Sequence, residues 1–241
     1  MRTHWTELAK VRDIQIKSGL DLTYNEVFIP VCNQLLRGVI KYEDQSILDV
    51  GCGGGHLMRS VSGWHSRVDG VEPDDGMFEV LLENVSELTK SNVYHCAVNE
   101  FETDLLYDVV IANMVMHDVE DISDFLVRVA SLITKEGHFV FSLPHPCFYM
   151  LYHNKELSGL NYHLDGVYDL DFYISGDHRV IGRTKYFHRS MERYWNLLTN
   201  SGLCIVEVHE PMPSQKLQNM YPQPWSYPRY IFFVAQKITH D

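Results

Sequence analysis

The sequence feature that most constrains the fold is a glycine-rich turn within Ile47–Leu57, where four of the five residues from Gly51 to Gly55 are glycine. The apolar run before the turn predicts a buried parallel strand, and the pattern that begins at Leu57 predicts a helix. A strand, a glycine turn and a helix in this order form the cofactor cradle at the carboxyl edge of an open α/β sheet. Glycine suits such a turn because the backbone bends at positive φ and approaches a ligand without a Cβ.

The residues of the turn distinguish between two kinds of cofactor. The dinucleotide fingerprint requires Gly-x-Gly-x-x-Gly or Ala. Gly51 and Gly53 fit its first two places, but the third falls on His56, which is too bulky for close helix–strand packing. The whole stretch at 49–55, Asp-Val-Gly-Cys-Gly-Gly-Gly, resembles the first motif of class I, Rossmann-like S-adenosylmethionine (SAM)-dependent methyltransferases. Two alternatives stay open, an NAD(P)-dependent Rossmann oxidoreductase and a SAM-binding module that methylates nothing.

The length and the net charge limit the classes of protein to which this chain can belong. A chain of 241 residues is long enough for one α/β domain with a modest insertion. The net charge of −12 argues against nucleic acid as a partner, because binding a polyanion needs a clustered basic surface. No apolar run of about 18 residues is present, so no membrane span is expected.

The cysteines and the first residues predict the compartment. Five cysteines are widely spaced and contain no Cys-x-x-Cys, which disfavours both a disulfide framework and a zinc site. The start of the chain, Met1–Glu7, lacks the apolar region of a signal peptide. We therefore expect a cytoplasmic protein without a metal site, and a homodimer stays open.

An acidic residue follows the second predicted strand, which covers 67–71. Glu72 lies 21 residues after Gly51, where a carboxylate can accept hydrogen bonds from both ribose hydroxyls of a nucleoside. A helix-capping acid is the alternative. The resemblance assigns Glu72 to the ribose and implies that Pro73 and Met77 flank the adenine ring. Met77 also belongs to an apolar helical stripe, so core packing is its alternative role.

The next two predicted strands complete the cofactor side of the site. The family commonly carries an Asp after its third strand, but here that place falls near Val98, so any adenine contact would come from backbone groups or from Asn99. The fourth strand is the continuous apolar run 107–113. The resemblance places Asn113 and Met114, at its end, under the methionine part of SAM.

Two histidines are candidates for acid–base chemistry. His117 follows the fourth strand, and the resemblance gives it the place where many small-molecule methyltransferases carry a His that faces the transferred methyl group. His145 lies between Pro144 and Pro146, whose rigidity suits either a side chain aimed into a pocket or a plain chain reversal.

The resemblance and the strand pattern together predict an α/β fold, with a seven-stranded, mostly parallel sheet and helices on both faces. An amphipathic helix from Ile122 is expected to end at Gly137. The predicted organisation is a helical lid at 1–44, with Tyr24 facing the cofactor, a SAM-binding core at 45–147, a substrate-covering insertion at 148–189, and a helix with two strands at 190–241. The insertion is rich in tyrosine and histidine; a dimer-forming or merely stabilising subdomain is its alternative.

The predicted activity is methyl transfer from SAM to an oxygen or nitrogen of a small organic molecule, with S-adenosylhomocysteine as product. Gly51, Cys52 and Gly53 would hold the methionine tail, and Asp49 would fix the loop or receive the ammonium group through water. If the nucleophile is a hydroxyl, His117 or His145 is the candidate general base.

Overall fold

The computed structural model describes residues 1–64, 67–153, 157–174 and 177–238. Its strands, in chain order, are β1 (Ser46–Val50), β2 (Arg67–Val71), β3 (Val93–Tyr94), β4 (Tyr107–Asn113), β5 (Ile133–Pro144), β6 (Gly166–Ile174), β7 (Asp177–His188), β8 (Leu203–His209) and β9 (Tyr230–Lys237). Its α-helices are α1 (Ala9–Lys17), α2 (Ile29–Val39), α3 (His56–Val61), α4 (Asp75–Val85), α5 (Ile122–Ser131), α6 (Tyr149–Tyr152), α7 (Met191–Asn200) and α8 (Gln215–Gln218). A π-helical turn at Tyr24–Phe28 leads directly into α2.

The central sheet has the strand order β3-β2-β1-β4-β5-β9-β8. Strands β1 to β5 pair in parallel, and β9 runs antiparallel between β5 and the edge strand β8. The predicted seven-stranded, mostly parallel sheet is confirmed. Strand order reverses beside β1, so the carboxyl ends of β1 and β4 define the crevice where open α/β sheets bind ligands.

Neighbouring residues of β4 belong to two different cores, one on each face of the sheet. Val110 and Ala112 pack in one apolar cluster with residues of α5 and α7. Val109 and Ile111 pack in a second cluster with residues of α2 and α3. Both faces of the parallel strands are therefore covered, which explains why the strand reads as a continuous apolar run.

The prediction that the helix from Ile122 ends at Gly137 is wrong. Helix α5 ends at Ser131, and Gly137 lies inside β5. A Cβ at Gly137 would lie 2.8 Å from the Asp108 carbonyl oxygen of the neighbouring strand, so the glycine serves close strand approach.

The segment predicted as an insertion forms α6 and an antiparallel hairpin of β6 and β7, which is a separate two-stranded sheet. The hairpin packs against the N-terminal segment, since a Cβ at Gly182 would lie 2.6 Å from a methyl carbon of Leu8. Among the described residues, no helix has the length and apolarity that crossing a bilayer requires.

Candidate active site

The glycine turn between β1 and α3 has the left-handed backbone that its sequence predicts. Gly51, Gly53 and Gly55 have φ values of 66°, 54° and 76°. A Cβ at Gly51 would lie 2.8 Å from a methyl carbon of Val115, and one at Gly55 would lie 2.6 Å from a methyl carbon of Leu81. Gly53 faces open space instead. Two of these glycines thus serve packing, while Gly53 leaves room for a ligand.

Glu72 closes this turn from the end of β2. Its two carboxylate oxygens accept the backbone N–H groups of Gly53 and Asp74, each at 2.8 Å. Burial raises the pKa of Glu72 to about 7, against the two backbone hydrogen bonds that lower it. Each oxygen keeps a second lone pair, so the carboxylate has capacity for a vicinal diol.

Asp49 lies at the bottom of the same turn with a side chain that is 3% exposed. Its Oδ2 atom is buried and has no hydrogen-bond partner among the described residues. Burial, and then the nearby charge of Glu72, raises the pKa of Asp49 to about 8. Because a buried carboxylate without a partner is costly, this atom indicates a cationic or hydrogen-bonding ligand group.

A cavity of about 600 Å³ opens at this edge of the sheet, which is within the size range of ligand pockets. The predicted site residues that line it are Tyr24, Asp49, Gly51, Cys52, Gly53, Glu72, Pro73, Met77, Val98, Asn99, Asn113, Met114 and His117. Met77 also packs with Ala9 and Val80 in a small apolar cluster, which is the core-packing role that its sequence pattern predicts.

His145 is not among the described residues that line the cavity. It is 3% exposed, and its Nε2 lies 2.6 Å from an Oε1 of Glu210. Its carbonyl accepts the N–H groups of Phe148 and Tyr149 at the start of α6. The structure thus gives this Pro-flanked residue a role in the chain reversal and leaves His117 as the histidine candidate for the base.

The backbone at the end of β4 is strained beside the cavity. Met114 has a φ of 59°, the only positive value of a non-glycine residue in the described parts of the chain. Its N–H donates to the hydroxyl of Ser142 at 2.9 Å, and that hydroxyl donates to Asn113 at 2.8 Å. Such strain persists where the surroundings fix it, and it is common at ligand sites.

His117 and its neighbour Asp118 form a largely buried pair on the cavity wall, with 3.5 Å between Nε2 and Oδ1. Burial lowers the pKa of His117 to about 3 and raises the pKa of Asp118 to about 7. The shared cause is desolvation, which disfavours each charged form. The imidazole is therefore neutral at pH 7, with one unprotonated ring nitrogen, while the carboxyl group titrates near neutrality.

Sequence reasoning missed Arg189, which fixes the loop that carries this pair. Its guanidinium, buried after β7, donates to the carbonyls of Met116, Val119 and Glu120 at 3.3, 2.7 and 2.8 Å. The planar fork of an arginine suits several carbonyls at once. No local pattern in the sequence signals a partner about 70 residues away.

The N-terminal strap, which we define as residues 3–8, covers the cavity. Thr3 and Thr6 donate to Oδ2 of Asp74 at 2.8 and 2.6 Å. Trp5 donates its indole N–H to Asp118 and packs edge-on against Phe172 of the hairpin, with 5.1 Å between the ring centroids. The Thr6 carbonyl occupies the place where Gly76 would carry a Cβ. The strap thus connects the cavity floor to the hairpin.

Residues 48–139 match a family described as "Methyltransferase domain". Curated relatives include the ubiquinone biosynthesis O-methyltransferase of Rickettsia bellii (strain OSU 85-389), which is 30% identical over 100 residues, 41% of this chain and 42% of that protein. The corresponding Bradyrhizobium diazoefficiens protein is 30% identical over 97 residues, 40% of this chain and 38% of that protein. The chain thus spans about two fifths of the length of the curated relatives it matches.

Solved structures extend the likeness over most of the chain. A putative SAM-dependent methyltransferase from Listeria monocytogenes has a TM-score of 0.65 at 19% identity, covering 86% of this chain and 97% of that one. The 1,6-didemethyltoxoflavin-N1-methyltransferase of Burkholderia thailandensis has a TM-score of 0.61 at 16% identity, covering 96% of this chain and 88% of that one.

The sheet has the Rossmann-like fold of class I SAM-dependent methyltransferases, and residues 48–139 match a methyltransferase domain. The fold and the methyltransferase domain predicted from the glycine turn are confirmed. SAM is the methyl donor of that class.

Proposed function

We propose that this protein transfers a methyl group from SAM to an oxygen or nitrogen of a small organic molecule and releases S-adenosylhomocysteine. The observation that carries the proposal is the placement of two buried carboxylates, Asp49 and Glu72, on either side of the glycine turn in a single covered cavity. A sulfonium cofactor with an ammonium group and a ribose matches these acids in charge and in hydrogen-bonding capacity.

The residues present fit this cofactor. The orphaned Oδ2 of Asp49 would accept the ammonium group, directly or through a water molecule. The free lone pairs of Glu72 would accept the ribose hydroxyls, and Gly53 offers open space for the methionine tail. Pro73, Met77, Val98 and Asn99 line the cavity and would surround the adenine ring.

SAM supplies an electrophilic methyl group on a sulfur that is a good leaving group. The chain would then contribute position and exclusion of water. The N-terminal strap and the β6–β7 hairpin, with the segments 1–44 and 148–189 that carry them, would form the cover over the acceptor. His117, neutral at pH 7, would accept the proton from a hydroxyl acceptor, while Arg189 holds its loop in place.

Thermal denaturation with S-adenosylhomocysteine and with NADH tests this function. We expect S-adenosylhomocysteine to raise the melting temperature and NADH to leave it unchanged, because only a ligand of the folded state stabilises it. Asp49→Asn should abolish most of the shift, and the exposed Asp104→Asn should keep it. Stabilisation by NADH alone would favour the oxidoreductase alternative. Binding of SAM without turnover of any acceptor would favour the non-methylating module.

The setting of the reaction is also part of the proposal. A cytoplasmic location is supported by five cysteines that are all free in the structure. The acidity of the chain, with a net charge of −12, supports a small-molecule acceptor rather than a nucleic acid. Sedimentation of the purified protein would test whether it forms a homodimer.

A further inference from the structure

We infer that the methyl acceptor is a planar aromatic compound that carries no carboxylate, sulfate or phosphate group. This inference rests on the proposed function, since it concerns the part of the cavity beyond the two cofactor acids. Two independent observations support it: many aromatic side chains line the cavity, and the lysine and arginine side chains among the described lining residues are already paired with carboxylates.

Aromatic rings line this part of the cavity, and together we call them the aromatic wall. It comprises Phe28, Tyr149, Tyr152, His153, Phe172, Tyr173 and Tyr230, all of which line the cavity. The rings come from the π-helical turn, α6 and the residue after it, β6 and β9, and all but Phe172 contact another ring of the wall. The centroids of Phe28 and Tyr230 are 4.6 Å apart, and those of Tyr152 and Tyr173 are 6.0 Å apart.

Ring surfaces assembled from four elements indicate a ligand that presents flat faces. Offset and edge-on ring pairs are favourable beyond the burial of apolar area, a gain that a saturated ring does not receive. Burial raises the pKa values of Tyr149 and Tyr230, so their hydroxyls stay protonated and the wall itself carries no phenolate charge.

Among the described residues that line the cavity, no lysine or arginine side chain is free to pair with an anionic acceptor. Among the described lining residues, Arg12 is the only lysine or arginine, and its guanidinium is already paired with the carboxylate of Asp21. The amino group of Met1 is paired with Asp75. Burial lowers the pKa values of His4, His56 and His117, which leaves these lining histidines neutral at pH 7.

Arg229 does not supply the missing cation. It is absent from the described lining residues, it stacks on the Tyr152 ring at 4.0 Å, and its Nη2 donates to the Gln223 carbonyl. An anionic acceptor would therefore lose its hydration beside buried acids and find no free lysine or arginine side chain in the described lining, which is unfavourable. A neutral aromatic compound does not incur this desolvation penalty.

Calorimetric titration of the protein saturated with S-adenosylhomocysteine tests the inference with three probes of similar size. The probes are 2-naphthol, 6-hydroxy-2-naphthoate and the saturated alcohol 2-decalol. We expect 2-naphthol to bind at least about tenfold more tightly than either of the others, which is about 1.4 kcal/mol. Equal or tighter binding of the naphthoate or of decalol would overturn the inference. So would the absence of naphthol binding to protein that binds S-adenosylhomocysteine.

A variant of the ion pair tests the charge argument directly. Asp21→Asn keeps the acceptor for the Tyr24 N–H, which lies 3.0 Å from Oδ1, but it releases Arg12. We expect the preference for naphthol over naphthoate to fall about tenfold, because the freed guanidinium can bind a carboxylate. Asp165→Asn, at a half-exposed acid that pairs with Arg193 and is absent from the described lining of this cavity, should leave the preference unchanged. An unchanged preference in Asp21→Asn would contradict the charge argument.

A variant of one ring tests the aromatic wall. Tyr173→Leu should weaken naphthol binding several-fold, and Tyr173→Phe should retain it, because the ring face rather than the hydroxyl makes the contact. Equal losses in both variants would overturn the role of the ring. Titration with S-adenosylhomocysteine alone is the separate readout, and a failure of that binding would contradict the proposed function itself.

Discussion

The indole N–H of Trp5 donates to Oδ2 of Asp118 at 2.9 Å, across 113 residues of chain. The same carboxyl group faces His117 through its other oxygen. One hydrogen bond therefore joins the N-terminal strap to the His117–Asp118 pair, which would take the proton from the methyl acceptor. The strap and His117 therefore share the carboxyl group of Asp118 as a common contact.

Trp5→Phe tests the effect of this contact. The indole hydrogen bond lowers the pKa of Asp118, which burial raises to about 7, so its loss should raise that pKa further. We expect the acidic limb of kcat/KM against pH to move up by about one unit, since a hydrogen bond to a charged group is worth about 1.5–3 kcal/mol. Trp195→Phe, at a half-exposed tryptophan, should leave the profile in place. An unmoved limb in Trp5→Phe would show that the contact has no such effect.

His117→Ala should lower kcat by about 10² to 10⁴ for a hydroxyl acceptor, the usual contribution of a positioned base, while the Kd of S-adenosylhomocysteine changes little. We expect the Kd to change little because the two acids assigned to the cofactor, Asp49 and Glu72, lie at the ends of β1 and β2, whereas His117 follows β4. Single-turnover kinetics and calorimetry give the two quantities. His163→Ala, at an exposed histidine of the insertion, is the matched control. Full activity of His117→Ala would show that His117 is not the general base.

Gly76→Ala should displace the strap. Its added Cβ would collide with the backbone carbonyl of Thr6, which has no flexible end that could move aside. We expect the Kd of S-adenosylhomocysteine to rise at least about tenfold, or about 1.4 kcal/mol. Gly38→Ala, in α2 with open space around its Cβ, should leave the Kd unchanged and stabilise the fold by about 0.5–1 kcal/mol. Equal affinities in both variants would show that the strap does not contribute to binding.

Binding of S-adenosylhomocysteine should release protons near neutral pH. Burial raises the pKa of Glu72 to about 7, and the ribose hydroxyls bind its ionised form. Bound ligand therefore lowers that pKa, so affinity falls as the pH drops below about 7. Calorimetry at pH 6.5 in two buffers of different ionisation enthalpy counts the protons. Glu72→Gln should release fewer, and an identical count in that variant would contradict the assignment.

The sequence predicts which residues meet at one end of the cavity, because these residues follow one another along the chain. Asp49, the glycine turn and Glu72 occupy fixed places at the ends of two consecutive strands, and parallel strands bring such ends together. The fourth strand, at 107–113, is also predictable, because its continuous apolar run is a local feature of the sequence.

The remaining features depend on contacts between distant residues. The tertiary fold brings Trp5 to Asp118 and Arg189 to the 116–120 loop, across about 113 and 70 residues of chain. His145 has the rigid flanks of an aimed side chain, yet Glu210 holds it elsewhere. Gly137 resembles a helix end, and its strand role depends on the neighbouring carbonyl of Asp108.

A crystal structure with S-adenosylhomocysteine tests the central claim most directly. We predict the ribose hydroxyls within hydrogen-bonding distance of the Glu72 carboxylate and the ammonium group on Asp49, directly or through one water. The sulfur should face the aromatic wall. Density for the ligand outside this cavity, or a ribose that does not contact Glu72, would contradict the proposed cofactor site.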